Sequence, residues 1–99
     1  MKVSMPLFVF IGHDGPAGSE RRQANRERHL AHLEALFRAG RLVYGGPIRD
    51  GTDHSIGAVL VLDAPDPAAA RAIVDEDPYV TGGVFERIEL NRFVQVFPR

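Results

Sequence analysis

There is no cysteine among the 99 residues, which removes disulfides, thiolate metal sites and cysteine nucleophiles together. The same absence fits a cytoplasmic protein. No apolar stretch approaches the roughly 20 residues that span a bilayer, so no membrane partner is expected. The run from Met5 to Ile11 is too short for a signal-peptide core and lacks a small-residue cleavage site behind it. It reads as a buried strand. Excess charge of either sign is missing as well: 12 Lys and Arg stand against 13 Asp and Glu. No basic stripe tracks a phosphate backbone, and a nucleic-acid partner is not expected. Arg21, Arg22, Arg26 and Arg28 come nearest, but Glu20 and Glu27 interrupt them, the pattern of solvated first turns of a helix. A phosphate-cradling loop is lacking too.

What is present is the composition of an ordinary globular protein, 44% apolar and 25% charged. The length suits one domain, residues 1–99, with one core. Leu7 to Ile11 is a continuous apolar run ended by Gly12, as in a central strand covered on both faces. His13 to Gly18 has the composition of a loop. A helix follows, with Ser19 as its N-cap and Gly40 as its stop, and Arg38 sits in its last turn where a cation complements the helix dipole.

Arg41 to Tyr44 predicts a short strand that runs into a tight corner at Gly45-Gly46-Pro47. Asp50-Gly51-Thr52-Asp53 is a turn, and Ile56 to Leu62 another strand. Asp66 caps a second helix from Pro67 to about Asp75, which the Asp77-Pro78 step ends. Gly82-Gly83 leads into a strand from Val84 to Leu90, with a last short strand expected from Phe93 to Phe97. The resulting order is βαββαβ, the ferredoxin-like arrangement of two helices on one face of an antiparallel sheet. The opposite sheet face, expected to carry Phe8 or Phe10, needs a cover. A second copy of the chain is the simplest one, which predicts a homodimer.

The first helix has an unusual stripe. At about 100° per residue, Leu33 and Leu36 fall within roughly 40° of His29, with Leu30 and Phe37 to one side and Arg26 near the middle of the arc. A helix that buries Leu33, Leu36 and Phe37 in its C-terminal half therefore turns Arg26 and His29 inward in the other half. Buried charge needs a partner, and Asp77 is the obvious one. A carboxylate on one imidazole nitrogen fixes the tautomer and frees the other for proton transfer, while Arg26 could hold an anionic or enolic oxygen. The plainer reading makes His29 a satisfied core histidine and Arg26 a structural ion pair with Asp77. Gly46 and Pro47 suit close approach of a ligand or simply a strand corner; Tyr79 reaches the same pocket or merely packs. Ser55 has no identifiable acid partner, which argues against a serine nucleophile. His13, His32 and His54 are scattered without ligand spacing, so no metal is expected.

Arg26-Glu27-Arg28-His29-Leu30, Gly45-Gly46-Pro47 and Asp75-Glu76-Asp77-Pro78-Tyr79 together resemble the YciI-like (YCII-related) family, and Gly83-Val84-Phe85-Glu86 extends the likeness over nearly the whole chain. The resemblance implies a dimeric α/β barrel of ferredoxin-like topology and a pocket holding a His29–Asp77 pair with Arg26 beside it. One branch of that family resembles muconolactone isomerases in fold and removes chloride from a chlorinated hydroxyhydroquinone. The chain accordingly reads as a cofactor-independent enzyme, a lyase, isomerase or dehydrochlorinase-like catalyst acting on a small molecule. Its alternative is a non-catalytic dimeric module that binds a small ligand or a protein. Gly12 to Gly18 and Asp50 to Ser55 follow no family pattern.

Overall fold

In the computed structural model, which describes residues 6–99, Leu7–Asp14 forms strand β1. Met5, at the head of the expected strand, lies outside the described residues. The elements that follow are α1 (Gly18–Arg38), β2 (Leu42–Arg49), β3 (Ser55–Asp63), α2 (Pro67–Asp75), the single turn α3 (Pro78–Thr81) and β4 (Phe85–Phe93). The four strands are ordered β2-β3-β1-β4, and every neighbouring pair is antiparallel. This is the βαββαβ order read from the sequence, with one helical turn added before the last strand.

Strand parity decides where the core lies. Phe8 and Phe10 pair with Leu62 and Leu60, and all four sit beneath the helices with Ala70 and Val74 of α2. The aromatics expected on the uncovered face are therefore on the covered one. The uncovered face carries Leu7, Val9 and Ile11 of β1, all half-buried, with Val61 and Val59 opposite Val9 and Ile11. On β4 the register shifts at His13/Asp14, so that Phe85 and not Glu86 stands opposite Asp14. This bulge turns Phe85 in, where its ring meets Phe10 edge-on at 5.7 Å. The strand then continues unbroken to Phe93, and residues 94–97 form no strand of their own.

The helix boundaries follow local chemistry. Gly40 has φ of +73°, and its N–H reaches Phe37 O while Arg41 N–H reaches Leu36 O. That is the paired closure of a Schellman motif. Asp66 caps α2 by accepting from Ala69 N. At the start of α1 the expectation fails: the helix begins at Gly18, Ala17 occupies the cap position, and no side chain caps it. Ser19 is already inside the first turn and its hydroxyl meets His54 Nε2 instead. Phe37, expected to be buried, is 62% exposed because it lies at the margin of the helix's inner arc.

Gly45-Gly46-Pro47 makes no corner either. β2 runs straight through it, and as the edge strand it tolerates a proline that cannot donate to a ladder. The β2–β3 turn is held by Asp50, whose carboxylate accepts from Thr52 N, Thr52 Oγ1 and His54 N. No helix among the described residues is long and apolar enough to cross a membrane.

Candidate functional site

The inner stripe of α1 reads Arg22, Arg26, His29, Leu33, at spacings of four, three and four residues. Beneath it the sheet offers little bulk: Gly45 and Gly46 of β2 and Ala58 of β3. Large side chains above small ones leave a gap, and the gap is a cavity of about 460 Å³ between α1 and the β2–β3 end of the sheet. It is lined by Arg22, Gln23, Arg26, His29, Leu30 and Leu33 from the helix; by Gly45, Gly46, Pro47 and Arg49 from β2; by Ser55, Ala58 and Leu60 from β3; and by Tyr79. A volume of this size suits a single substituted ring.

His29 Nδ1 lies 2.7 Å from Asp77 Oδ1, and both side chains are buried, 11% and 2% exposed. Asp77 owes its position to the helical turn that follows it. It is the N-cap of α3, with extended backbone, and the same Oδ1 accepts the Tyr79 amide at 2.8 Å. Pro78 occupies the first helical position, where its missing N–H costs nothing. A carboxylate oxygen that already receives one donor is an acceptor here, so Nδ1 donates to it and Nε2 is left with the lone pair. Tyr79 then lies flat against the imidazole, with centroids 3.7 Å apart and planes 4° from parallel.

An anchored cation, Arg22, borders this stack. Arg22 donates through Nε and Nη2 to both oxygens of Asp14, at 2.8 and 2.9 Å, and through Nη2 to the Gly57 carbonyl at 2.8 Å. Its guanidinium lies over the Tyr79 ring at 5.3 Å. The hydrogen bonds to Asp14 raise its pKa further above the usual arginine value, against the opposing effect of burial. Gly18 permits this pair: a Cβ there would fall 2.5 Å from Asp14 Oδ2.

His29, Asp77 and Tyr79 are brought together as the sequence suggested, and Gly46 and Pro47 line the same cavity. Arg26 lines it as well, but it is exposed and not buried, and it is not the partner of Asp77. Arg26 faces the cavity and reaches solvent through it, unlike Arg22 one turn earlier, which is packed against Asp14. The residue missed from sequence is Arg22. At about 100° per residue it falls roughly 20° from His29, nearer to it than Arg26 and inside the same arc; that spacing could have revealed it. Its anchor Asp14 and the lining residues Arg49 and Gln23 carried no local signal. Ser55 lines the cavity, while His13 pairs with Glu89 and His54 with Ser19. Among the described residues no group of three or more His, Asp or Glu is placed to hold a metal ion.

The sequence model of the YCII-related domain matches residues 6–94. Protein YciI of Escherichia coli is 34% identical over 97 residues, covering 92% of this chain and 99% of its own. An uncharacterised protein of Haemophilus influenzae is 31% identical over 96 residues, 91% of this chain and 98% of its own. Among solved structures, 5-chloro-2-hydroxyhydroquinone dehydrochlorinase (TftG) of Burkholderia phenoliruptrix, in complex with 2,5-dihydroxybenzoquinone, superposes with a TM-score of 0.79. It is 29% identical, and 90% of this chain and 94% of that one are covered. SnoaB, a cofactor-independent oxygenase of Streptomyces nogalater, shares the fold at 19% identity and a TM-score of 0.53, covering 98% of this chain and 100% of its own. With its topology and nearly its whole length matched, the chain belongs to the YCII-related family.

Proposed function

We propose that the chain is an enzyme performing acid–base chemistry on a small ring compound with its own side chains, as an isomerase or lyase of the dehydrochlorinase kind. The observation that carries this reading is the buried His29–Asp77 bond at the wall of a ligand-sized cavity. His29 Nε2 takes a proton from a carbon next to a carbonyl, and the C–H electron pair moves into the carbonyl to give an enolate. Arg26, with no side-chain partner among the described residues, closes on the enolate oxygen; Arg22, held on both oxygens of Asp14, forms the fixed wall behind it. Asp77 stabilises the imidazolium. The electron pair then returns, either to take the proton back at another carbon or to expel a leaving group with its bonding pair. A chlorinated hydroxyhydroquinone, the substrate class named for the Burkholderia relative, enters the same scheme in reverse. A hydroxyl proton is moved to the chlorine-bearing carbon to give the keto tautomer. Removal of a second hydroxyl proton then sends an electron pair through the ring, forming a carbonyl and expelling chloride with the C–Cl bonding pair to leave a hydroxyquinone. Gly46, Pro47 and Tyr79 shape the wall against which the ring lies.

A second copy of the chain belongs on the uncovered sheet face, where Leu7, Val9, Ile11 and Val59 are only half-buried. The test of the catalytic reading is turnover of a chlorinated hydroxyhydroquinone, followed by chloride release, in the native protein and in His29→Ala. A positioned general base contributes about 10²–10⁴ in rate, so His29→Ala is expected to lose at least about a hundredfold. An unchanged rate sinks the assignment.

A further inference from the structure

We infer that the cavity contains a second recognition point, at Arg49 and Ser55, that takes an anionic substituent of the ligand, a carboxylate by its chemistry, held away from His29. This deepens the small-molecule reading of the same cavity and rests on it. Arg49 and Ser55 face one another in register at the open end of the β2–β3 ladder, and both line the cavity. The register slips between Ile48 and Arg49, so that Ser55 stands opposite Arg49 while Ile56 is pushed outward and 45% exposed. A bulge of this sort re-aims side chains. It sets a hydroxyl donor beside a guanidinium fork, the donor set that suits a carboxylate.

The charges agree. The cavity lining holds three arginines, Arg22, Arg26 and Arg49, and no carboxylate among the described residues. Arg22 is neutralised by Asp14. Among the described residues Arg49 meets only Asp53, at 3.3 Å, with side chains 51% and 81% exposed; such a pair is screened and readily exchanged for another carboxylate. Arg49 and Ser55 belong to the sheet, whereas Arg26 and His29 descend from the helix across the cavity. A ligand with its reacting carbon at His29 can therefore place a second, charged group at the sheet end.

The test is calorimetric binding of two probes that differ by one carboxylate, 2,5-dihydroxybenzoate and hydroquinone. The benzoate is expected to bind at least about tenfold more tightly, roughly 1.4 kcal/mol. Arg49→Gln removes most of that preference, Ser55→Ala part of it, and neither changes hydroquinone binding. Asp53→Asn, which removes the competing carboxylate, tightens the benzoate alone. Equal affinity for the two probes, binding of neither below about 10 mM, or equal weakening of both by Arg49→Gln overturns the inference. His29→Ala separates it from the catalytic reading: the preference persists there while turnover is lost. If turnover is lost but no preference exists, the second recognition point alone is refuted; a preference with turnover indifferent to His29 refutes the catalytic reading alone.

Discussion

Asp77 Oδ1 receives two donors, His29 Nδ1 at 2.7 Å and the amide of Tyr79 at 2.8 Å. The atom that starts the α3 turn thus also fixes the imidazole, and Tyr79, one residue into that turn, lies flat on the ring it helps to orient. Fold and site share a single oxygen.

Substitutions at Asp77 separate its two duties. Asp77→Ala removes the oxygen that accepts both bonds and leaves the buried imidazole N–H and the Tyr79 amide unsatisfied, at a cost of about 1–3 kcal/mol each. Asp77→Asn keeps an oxygen where Oδ1 stands and removes only the charge. Its stability loss should be roughly half as large, since a charge-assisted bond is about twice as strong as a neutral one. Turnover should nevertheless fall as far as in His29→Ala, because no carboxylate remains to stabilise the imidazolium. Thermal melts beside rate measurements check this; an active Asp77→Asn would mean that the charge has no catalytic part.

Arg22→Lys tests whether the geometry of the anchored cation matters or only its charge. Lysine keeps the charge but cannot span both Asp14 oxygens and the Gly57 carbonyl at once. With bonds to charged groups worth about 1.5–3 kcal/mol each, the variant should be less stable by about that amount, read as a lower midpoint in urea. A lysine variant as stable as the native chain would show that Arg22 acts through charge alone.

Gly18→Ala sets helix propensity against a close approach. Alanine in a helix is normally worth about 1 kcal/mol over glycine. Here its Cβ would stand 2.5 Å from Asp14 Oδ2 and 2.9 Å from Asp14 Cβ. Overpacking of this kind costs about 1–3 kcal/mol, so the melting temperature should drop and not rise, by about 4–8 °C for each kcal/mol lost. Asp14→Gly beside it removes both contacts, and in that background Gly18→Ala should stabilise.

Much of this arrangement is legible in the chain. The Asp66 cap, the Gly40 stop and the order of helices and strands along the chain each follow from a local rule, and the meeting of His29 with Asp77 follows from the helix stripe together with the position of Asp-Pro-Tyr. What escaped reading depends on register. Whether Phe8 or Leu7 faces the helices is a shift of one residue, and an apolar run from Leu7 to Ile11 does not encode it. The bulge that turns Phe85 inward leaves no trace in the alternation of β4. Gly45-Gly46-Pro47 reads as a corner because its composition is that of turns, and only its place at the sheet edge permits a strand. Arg22 was hidden by its sequence neighbours: Arg21 and Glu20 suggest a solvated turn, while its partner Asp14 is supplied by another element.

On the uncovered sheet face Glu89 Oε2 meets His13 Nε2 at 2.6 Å and Arg87 Nη1 at 3.3 Å. The hydrogen bond from His13, and then the nearby charges, hold the Glu89 carboxyl below its ordinary value of 4.5. A carboxyl depressed in the folded state stabilises the fold above its unfolded value and loses that contribution as pH falls through the folded one. The native chain should therefore be more stable than Glu89→Gln at pH 6, and the gap should close as the pH is taken below about 4. Urea midpoints across that range decide it; a gap that does not vary with pH would remove Glu89 from the acid response.

The same face makes the last prediction. Val9 and Ile11 stand at its centre, opposite Val61 and Val59, and a half-buried aliphatic patch on an open sheet is the surface a second copy would cover. Light scattering on the native chain should give the mass of a dimer. Val9→Lys puts a charge into that patch without touching Phe8 or Phe10, which face the other way, so it should yield a folded monomer with native helical circular dichroism. Because the cavity lies on the helix side of the sheet, ligand binding should survive in that monomer. If binding vanishes with the dimer, the second copy shapes the cavity; if the native chain is itself monomeric, the open face is covered by something other than its own kind.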